Sequence, residues 1–311
     1  MNDQKAPQKD HRWQSVFDYV PCEFLMKLAF SQKNHKPENL TKGQEELVNE
    51  IFRVCGEDTI QKLYEQFPGI EGTVWFYSHE SKVFDELHIK RSISENIDDD
   101  LKAGIDPQIQ KEPTLYRVDQ LDNTVLFHFA AKDSAQNIRT GLGQRTRIEV
   151  VNEYVAVVHF SVPKLLIFGP YTTDRANAVA AKIGKTLELD VEFQCVKPKR
   201  GEGRFLYQAL KSRLKAYLID TKRLDTSGDY KTVALESREK HPDLEKVPNF
   251  RKQYLDSESL YDVLQFSISN PLGVSEKTHV KMGRPFGRFT FAPHTSLAAI
   301  YHFEKTLYAV L

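Results

Sequence analysis

The apolar periodicity of this chain changes once, and the change divides it. Up to position 67, apolar residues recur at threes and fours. The first run is Phe17, Val20, Phe24, Leu25 and Leu28, the next Leu47, Val48, Ile51, Phe52 and Cys55, and the last Ile60, Leu63, Tyr64 and Phe67. Beyond Pro113 they alternate, as in Val125, Phe127 and Phe129. A period near 3.6 buries one face of a helix and a period of two buries one face of a strand. The chain therefore reads as α+β: an N-terminal helical domain over 1–77, then a curved, largely antiparallel β-sheet domain backed by helices over 114–311. Residues 78–113 are charged, poor in apolar side chains and broken by Gly104 and Pro107, and read as a linker. Within the sheet domain, 221–257 is a long polar insertion carrying Gly228, Pro242 and Pro248. A stretch that long either holds a helix of its own, near 243–254, or orders on a partner.

Local punctuation supports this division. Thr41 with Gln44 three residues on has the capping-box pattern, and Asp58 or Thr59 caps a third helix that Pro68-Gly69 stops. A long strand is expected over 145–160, bent near Asn152, after a loop over 134–144 in which Gly141 and Gly143 reverse the chain. The alternation of Val191, Phe193 and Cys195 and the runs 260–268, 278–282 and 288–291 read as further strands. The sequence also echoes itself: 165–173 reads LLIFGPYTT and 288–296 reads RFTFAPHTS. In each, an apolar strand meets a proline that ends sheet pairing, and a hydroxyl then caps a helix. Thr172 or Thr173 and Thr295 or Ser296 are the expected caps. Two such units would make a pseudo-symmetric sheet.

Known catalytic patterns are missing. Gly201-Glu202-Gly203-Arg204 lacks the length and the Lys-Ser/Thr end of a phosphate-binding loop, and Gly141-Leu142-Gly143 lacks the third glycine of a dinucleotide site. Asp98-Asp99-Asp100 has no spaced partner ligands. His128 and His159 lie on expected strands and could meet in the sheet, but structural histidines are commoner there than catalytic ones. Glu149, Glu153 and Lys164 form a weak nuclease-like set. No catalytic residue, metal or cofactor is expected. Cys22, Cys55 and Cys195 include no C-x-x-C pair, which fits a reducing compartment. No apolar stretch is long enough to span a bilayer, so a soluble, intracellular protein without membrane contact is expected.

The whole chain is neutral, with 43 basic and 43 acidic residues, so any polyanion must be met locally. Residues 197–223 hold nine Lys/Arg against Glu202 and Asp220. Wound as a helix over 203–222, Leu206, Leu210, Leu214 and Tyr217 share one face. Arg204, Lys211, Lys215 and Lys222 fall on the other, in a stripe about 27 Å long at 1.5 Å per residue. With Lys197, Lys199 and Arg200, that stripe suits a phosphate backbone. An ordinary solvated face of an amphipathic helix is the competing reading. The loop 132–147, with Lys132, Arg139, Arg145 and Arg147, is a second candidate phosphate contact.

Several segments together resemble the centromere protein N family of inner-kinetochore proteins. They are Val20-Pro21, Phe24-Leu25 and Leu28, the helix 46–55, the segment 63–67, Val74-Trp75-Phe76, then Phe266-Ser267-Ile268-Ser269 and 287–297. The resemblance implies a pyrin-like N-terminal domain, a β-rich domain closing in a strand and a helix, recognition of centromeric nucleosomes through basic surfaces, a sister subunit of related fold, and a nuclear location in place of a cytoplasmic one. The strand–strand–helix repeat is also similar to TATA-binding-protein-like domains. The expectation is a non-enzymatic DNA- or chromatin-associated protein within a larger assembly. The alternatives are a microbial nucleic-acid-binding defence subunit or metal-dependent nuclease, and a protein–protein scaffold.

Overall fold

The computed structural model describes residues 16, 18–33, 44–67, 72–78, 85–97, 109–121, 124–133, 136–140, 144–148, 150–160, 164–169, 172–189, 192–198, 202–220, 232–237, 243–247, 249, 259–283 and 287–311. In chain order the elements are α1 (Cys22–Lys33), α2 (Gln44–Cys55), α3 (Glu57–Gln66), β1 (Thr73–Ser78), α4 (Glu86–Asn96), β2 (Thr114–Gln120) and β3 (Thr124–Lys132). Next come β4 (Gln136–Thr140), β5 (Gln144–Ile148), β6 (Val151–His159), β7 (Lys164–Phe168), α5 (Thr173–Thr186), β8 (Gln194–Cys195) and α6 (Glu202–Ala209). The last are β9 (Arg213–Asp220), β10 (Thr232–Glu236), β11 (Ser259–Ser269), β12 (Ser275–Gly283), β13 (Arg288–Phe291) and α7 (Leu297–Val310). Helices come first and antiparallel strands follow, so the α+β expectation holds.

The chain forms two units, each assembled from separated stretches. The first comprises Met1–Glu71, Lys199–Met282 and Phe291–Leu311, and the second Gly72–Pro198 and Gly283–Thr290. This differs from the sequential division at 77 and 113. The N-terminal helices share a unit with the C-terminal helix: Ala298 N donates to Gln66 Oε1 at 3.2 Å, and His294 Nδ1 to the Tyr19 carbonyl at 3.0 Å. The stretch read as a linker contains α4, which turns Ile89, Ser92 and Ile93 into the core of the second unit. Its few apolar residues sit three or four apart, and one such stripe is enough to dock a helix.

In the second unit, strand order is β13-β1-β7-β6-β3-β2, all antiparallel, with β8 pairing the far end of β1 on the β13 side. Trp75, Phe127, Phe129 and Ile167 from these strands pack with Ile89 of α4 and Val179 and Ile183 of α5. His88 Nε2 and Asn96 Nδ2 bind the carbonyls of Leu187 and Thr186, so α4 also caps the C-terminus of α5.

In the first unit, β10-β9-β11-β12 are antiparallel neighbours. Burial on β12 alternates: Glu276, Thr278, Val280 and Met282 are buried, and Ser275, Lys277 and Lys281 are exposed. On the buried side Phe266 packs on Phe303, and Phe291 meets Phe303 edge-on at 5.4 Å. Ser296 caps α7 by accepting from Ala299 N, while its own N–H donates to Glu276 Oε1 at 2.9 Å. A carboxylate therefore sits at the positive end of that helix.

The described parts of the echoed segments adopt the expected local structure. Val74 of β1 lies opposite Phe168 of β7 on one side and Phe289 of β13 on the other, and Thr172 caps α5 as Ser296 caps α7. The two helices nevertheless fall in different units.

Other expectations are corrected. The single helix over 203–222 does not form: α6 ends at Ala209 and β9 begins at Arg213. The loop over 134–144 is mostly the β4–β5 hairpin, and the long strand 145–160 is β5 and β6. The third helix starts at Glu57, one or two residues before its expected caps, because Glu57 and Asp58 suit a first helical turn. Between 243 and 247 the described backbone is a short 3-10 turn, Leu244–Lys246. Thr41 and Asp98–Asp99–Asp100 lie outside the described residues.

Candidate nucleic-acid interface

The basic segment is built from two elements joined by a tight turn. After α6, Ser212 N donates to the Tyr207 carbonyl and Lys211 N to the Gln208 carbonyl, both at 3.1 Å. This is a Schellman pair, and it places Lys211 in the left-handed region at φ 49°. The turn ends the helix and releases 213–220 to pair with β10 and β11. Leu206, Leu210 and Leu214 are all buried, as the helical reading required, but the first belongs to α6, the second to the turn and the third to β9. Asp243 Oδ1 accepts from Leu214 N and fixes the start of the strand.

The stripe of Arg204, Lys211, Lys215 and Lys222 is therefore not assembled on one helix. Lys211 is exposed in the turn and Lys215 is half-exposed on β9. Arg204 lies on α6, where only its backbone is described. Lys199, Arg200 and Lys222 are outside the described residues. Lys197 belongs to the second unit and is exposed. There it lines a cleft of about 750 Å³ with Lys185, Glu192, Phe193 and Cys195, whose thiol pKa is pushed up by burial. Lys132 ends β3, and the β4–β5 register sets Arg139 opposite Arg145 and Asn137 opposite Arg147. Arg139, Arg145 and Arg147 thus occupy one face of the hairpin by register.

What the structure does bring together is a basic sheet face in the first unit. Gln265 of β11 is flanked by Arg213 on β9 and His279 on β12, and Ser267 by Lys277. Arg213, Lys277 and Lys281 are exposed, and Lys215 lies close enough to His279 to depress its pKa. The acids of β11 and β12, Asp262 and Glu276, are buried on the opposite face, where Asp262 accepts from the Tyr207 hydroxyl. Glu236, on β10 opposite Ala216, is the exposed acid on the far side of β9. Among the described residues, Lys211, Arg213, Lys215 and Lys277 take part in no ion pair. His279 is half-buried, and its pKa is lowered by burial first and then by Lys277 and Lys215. Cations that depress a neighbouring base in this way are close enough to act jointly on a bound anion.

The sequence matches no known protein family and no curated protein. The chemistry of the face must therefore be read from its own side chains. Lys277, His279 and Lys281 form no basic run in the sequence because they alternate with Thr278, Val280 and Met282. That alternation, K-T-H-V-K-M, was the signal: on a strand it puts every cation on the solvent side.

The other candidate chemistry is not assembled. His128 pairs with Val155, and His159 with Thr124 four residues away along the same strand pair, so the two histidines do not meet. His128 instead joins Arg117 and Asp119: His128 Nε2 is 2.9 Å and Arg117 Nε 3.1 Å from the same oxygen, Asp119 Oδ2. Burial holds the His128 pKa down, against the hydrogen bond to Asp119 that raises it. With 3% of its surface exposed, this histidine braces the β2–β3 edge of the sheet. Val158 pairs with Leu165, so Lys164 and Glu153 stand at opposite ends of the β6–β7 pair, about 20 Å apart at 3.3 Å per residue. Glu149 is outside the described residues. Among the described residues no group of three His, Cys, Asp or Glu is placed to hold a metal ion, and no helix is long and apolar enough to cross a membrane.

Proposed function

We propose that this protein is a non-enzymatic nucleic-acid-binding protein that lays the solvent face of β9, β11 and β12 along a phosphate backbone. One observation carries this reading: across three adjacent strands Arg213, Lys277 and Lys281 share the solvent face with His279 by register, Lys215 at the β9 irregularity lies close enough to lower the His279 pKa, and the acids of β11 and β12 point into the core. Cations spaced over a pleated surface neutralise phosphates and release counterions, which gives affinity without sequence preference. Arg139, Arg145 and Arg147 on the β4–β5 hairpin are a second phosphate contact, in the other unit. A centromeric nucleosome, within a complex that includes a related partner subunit, is the narrower form of the same reading.

The test is a fluorescence-anisotropy titration with a blunt DNA duplex carrying 5′-hydroxyl ends, from 50 to 300 mM salt. The variant carries Lys215→Gln and Lys281→Gln. The wild type should bind with a steep salt dependence. The variant should bind more weakly, with a log–log slope shallower by about 0.9 for each phosphate contact removed. No binding at the lowest salt, or an unaltered slope in the variant, overturns the proposal.

A further inference from the structure

The basic face ends in a cleft. β9 stops at Arg213, opposite Gln265, whereas β11 runs on to Ser269, so along 266–269 no described strand pairs with β11 on the β9 side. The Schellman turn closes that gap from one end and α7 from below. The resulting cavity of about 530 Å³ has Lys211, Arg213, Gln265, Ser267, Lys277 and His302 in its lining, beside the apolar Phe266. Among the described residues the lining contains three cations, a histidine, a hydroxyl and an amide, and no carboxylate.

We infer that this cleft binds a terminal phosphate, the phosphomonoester of a nucleotide or of a nucleic-acid end. A backbone diester carries a single negative charge, whereas a monoester carries about −1.5 to −2 at neutral pH and presents three acceptor oxygens. Lys211 and Arg213 reach it from the β9 side and Lys277 from β12, with the Ser267 hydroxyl between them. Cations crowded into a recess repel one another, and a doubly charged guest removes that repulsion better than one segment of a continuous strand. The recess also suits an end more than a passing chain. Its volume falls in the range of small-ligand sites, enough for a phosphate with its attached sugar. His302, exposed on α7 with its ring 6.2 Å from that of Phe266, forms the wall on that side. The inference rests on the nucleic-acid reading only for the source of the phosphate.

Lys211 supplies the test. Glycine is the residue its left-handed turn position favours, and a lysine there is strained. Lys211→Gly therefore removes a cation from the cleft while relaxing the backbone, so a failure to fold is not the expected result. In phosphate-free buffer, single-stranded oligonucleotides identical except for a 5′-phosphate or a 5′-hydroxyl are titrated against wild type and variant. Isothermal calorimetry with inorganic phosphate and with a nucleoside 5′-monophosphate follows. The wild type should prefer the phosphorylated end by about tenfold, roughly the 1.4 kcal/mol of one charge-assisted contact. Lys211→Gly should lose that preference and melt at the same or a higher temperature.

Heat from the nucleotide alone identifies a nucleoside phosphate or nucleic-acid end as the source. Equal heat from inorganic phosphate identifies the free ion, and either result supports the cleft. Equal affinity for both oligonucleotides with no heat from either small anion overturns it, as does a preference that survives Lys211→Gly. Loss of 5′-hydroxyl duplex binding in the preceding experiment counts against the open face alone, since the calorimetry reads the cleft without a duplex.

Discussion

Gln265 Nε2 lies 2.6 Å from Nε2 of His279, its partner across β11 and β12. An amide nitrogen only donates, so that ring nitrogen is the acceptor and the imidazole is neutral. Burial, Lys277 and Lys215 all hold its pKa below the ordinary histidine value. The face thus keeps an uncharged base among its cations at neutral pH.

A bound anion offsets the effect of Lys277 and Lys215 on the ring, so the complex takes up a proton more readily than the free protein. Affinity for a DNA duplex should therefore rise as pH falls, by about threefold or more between pH 7.5 and 5.5 at constant salt. His279→Gln should flatten the profile. The same rise in that variant would place the titrating group elsewhere. Stability has the opposite sign. A histidine whose folded pKa is depressed binds its proton more readily when unfolded, so its contribution is lost as pH falls from 6.5 toward the folded value.

Asp119 holds Arg117 and His128 together at the β2–β3 edge, and its side chain is 15% exposed. Asp119→Asn removes the charge that both groups share and leaves Arg117 beside a buried ring. The second unit should lose about 1–3 kcal/mol at pH 7, read by chemical denaturation. The carboxylate is the main influence raising the His128 pKa against burial, so NMR titration of the variant should find that pKa lower still. An unchanged His128 titration would mean that Asp119 is not its partner in solution.

Gly169 follows β7 at φ 98°, and its N–H donates to the Thr73 carbonyl. A Cβ there would lie 2.7 Å from the Glu153 carbonyl oxygen and 3.2 Å from the Tyr154 ring. Both the backbone angle and the contact oppose a side chain, so Gly169→Ala should destabilise the protein by about 2–3 kcal/mol and lower its melting temperature by several degrees. The corresponding residue of the echoed segment is already an alanine, Ala292, so the two turns are not equivalent and alanine at 169 has no precedent in the other. A melting temperature within about 1 °C of wild type would show that the β6–β7 end adjusts freely.

Much of the fold was legible because its signals are local. The Thr172 and Ser296 caps, the strand over 288–291 and the helical spacing from Leu47 to Phe67 each depend on residues within one or two turns of one another. α4 was missed because Glu86, Lys90, Arg91 and Glu95 make its segment look like a linker, although Ile89 and Ile93 carry a buried stripe. The division into units was hidden for a different reason. It depends on 199–282 joining helices from the two ends of the chain, a pairing no local pattern encodes.

The candidate site shows the same limit at the level of single residues. Leu206, Leu210 and Leu214 are four apart, and four is close to a helical turn and also an even number. The spacing puts them on one face of either a helix or a strand. The sequence by itself determined that these leucines are buried and that the cations between them are not. Tertiary structure decided that the helix stops at the Lys211 turn and that 213–220 become a strand, because β10 and β11 offer that segment a backbone ladder on both edges. The same pairing brought Lys277 and His279, more than sixty residues further along, beside Arg213 and Lys215. Charge pattern follows from the order of residues along the chain, whereas charge neighbourhood follows from strand register, which the burial of whole faces selects.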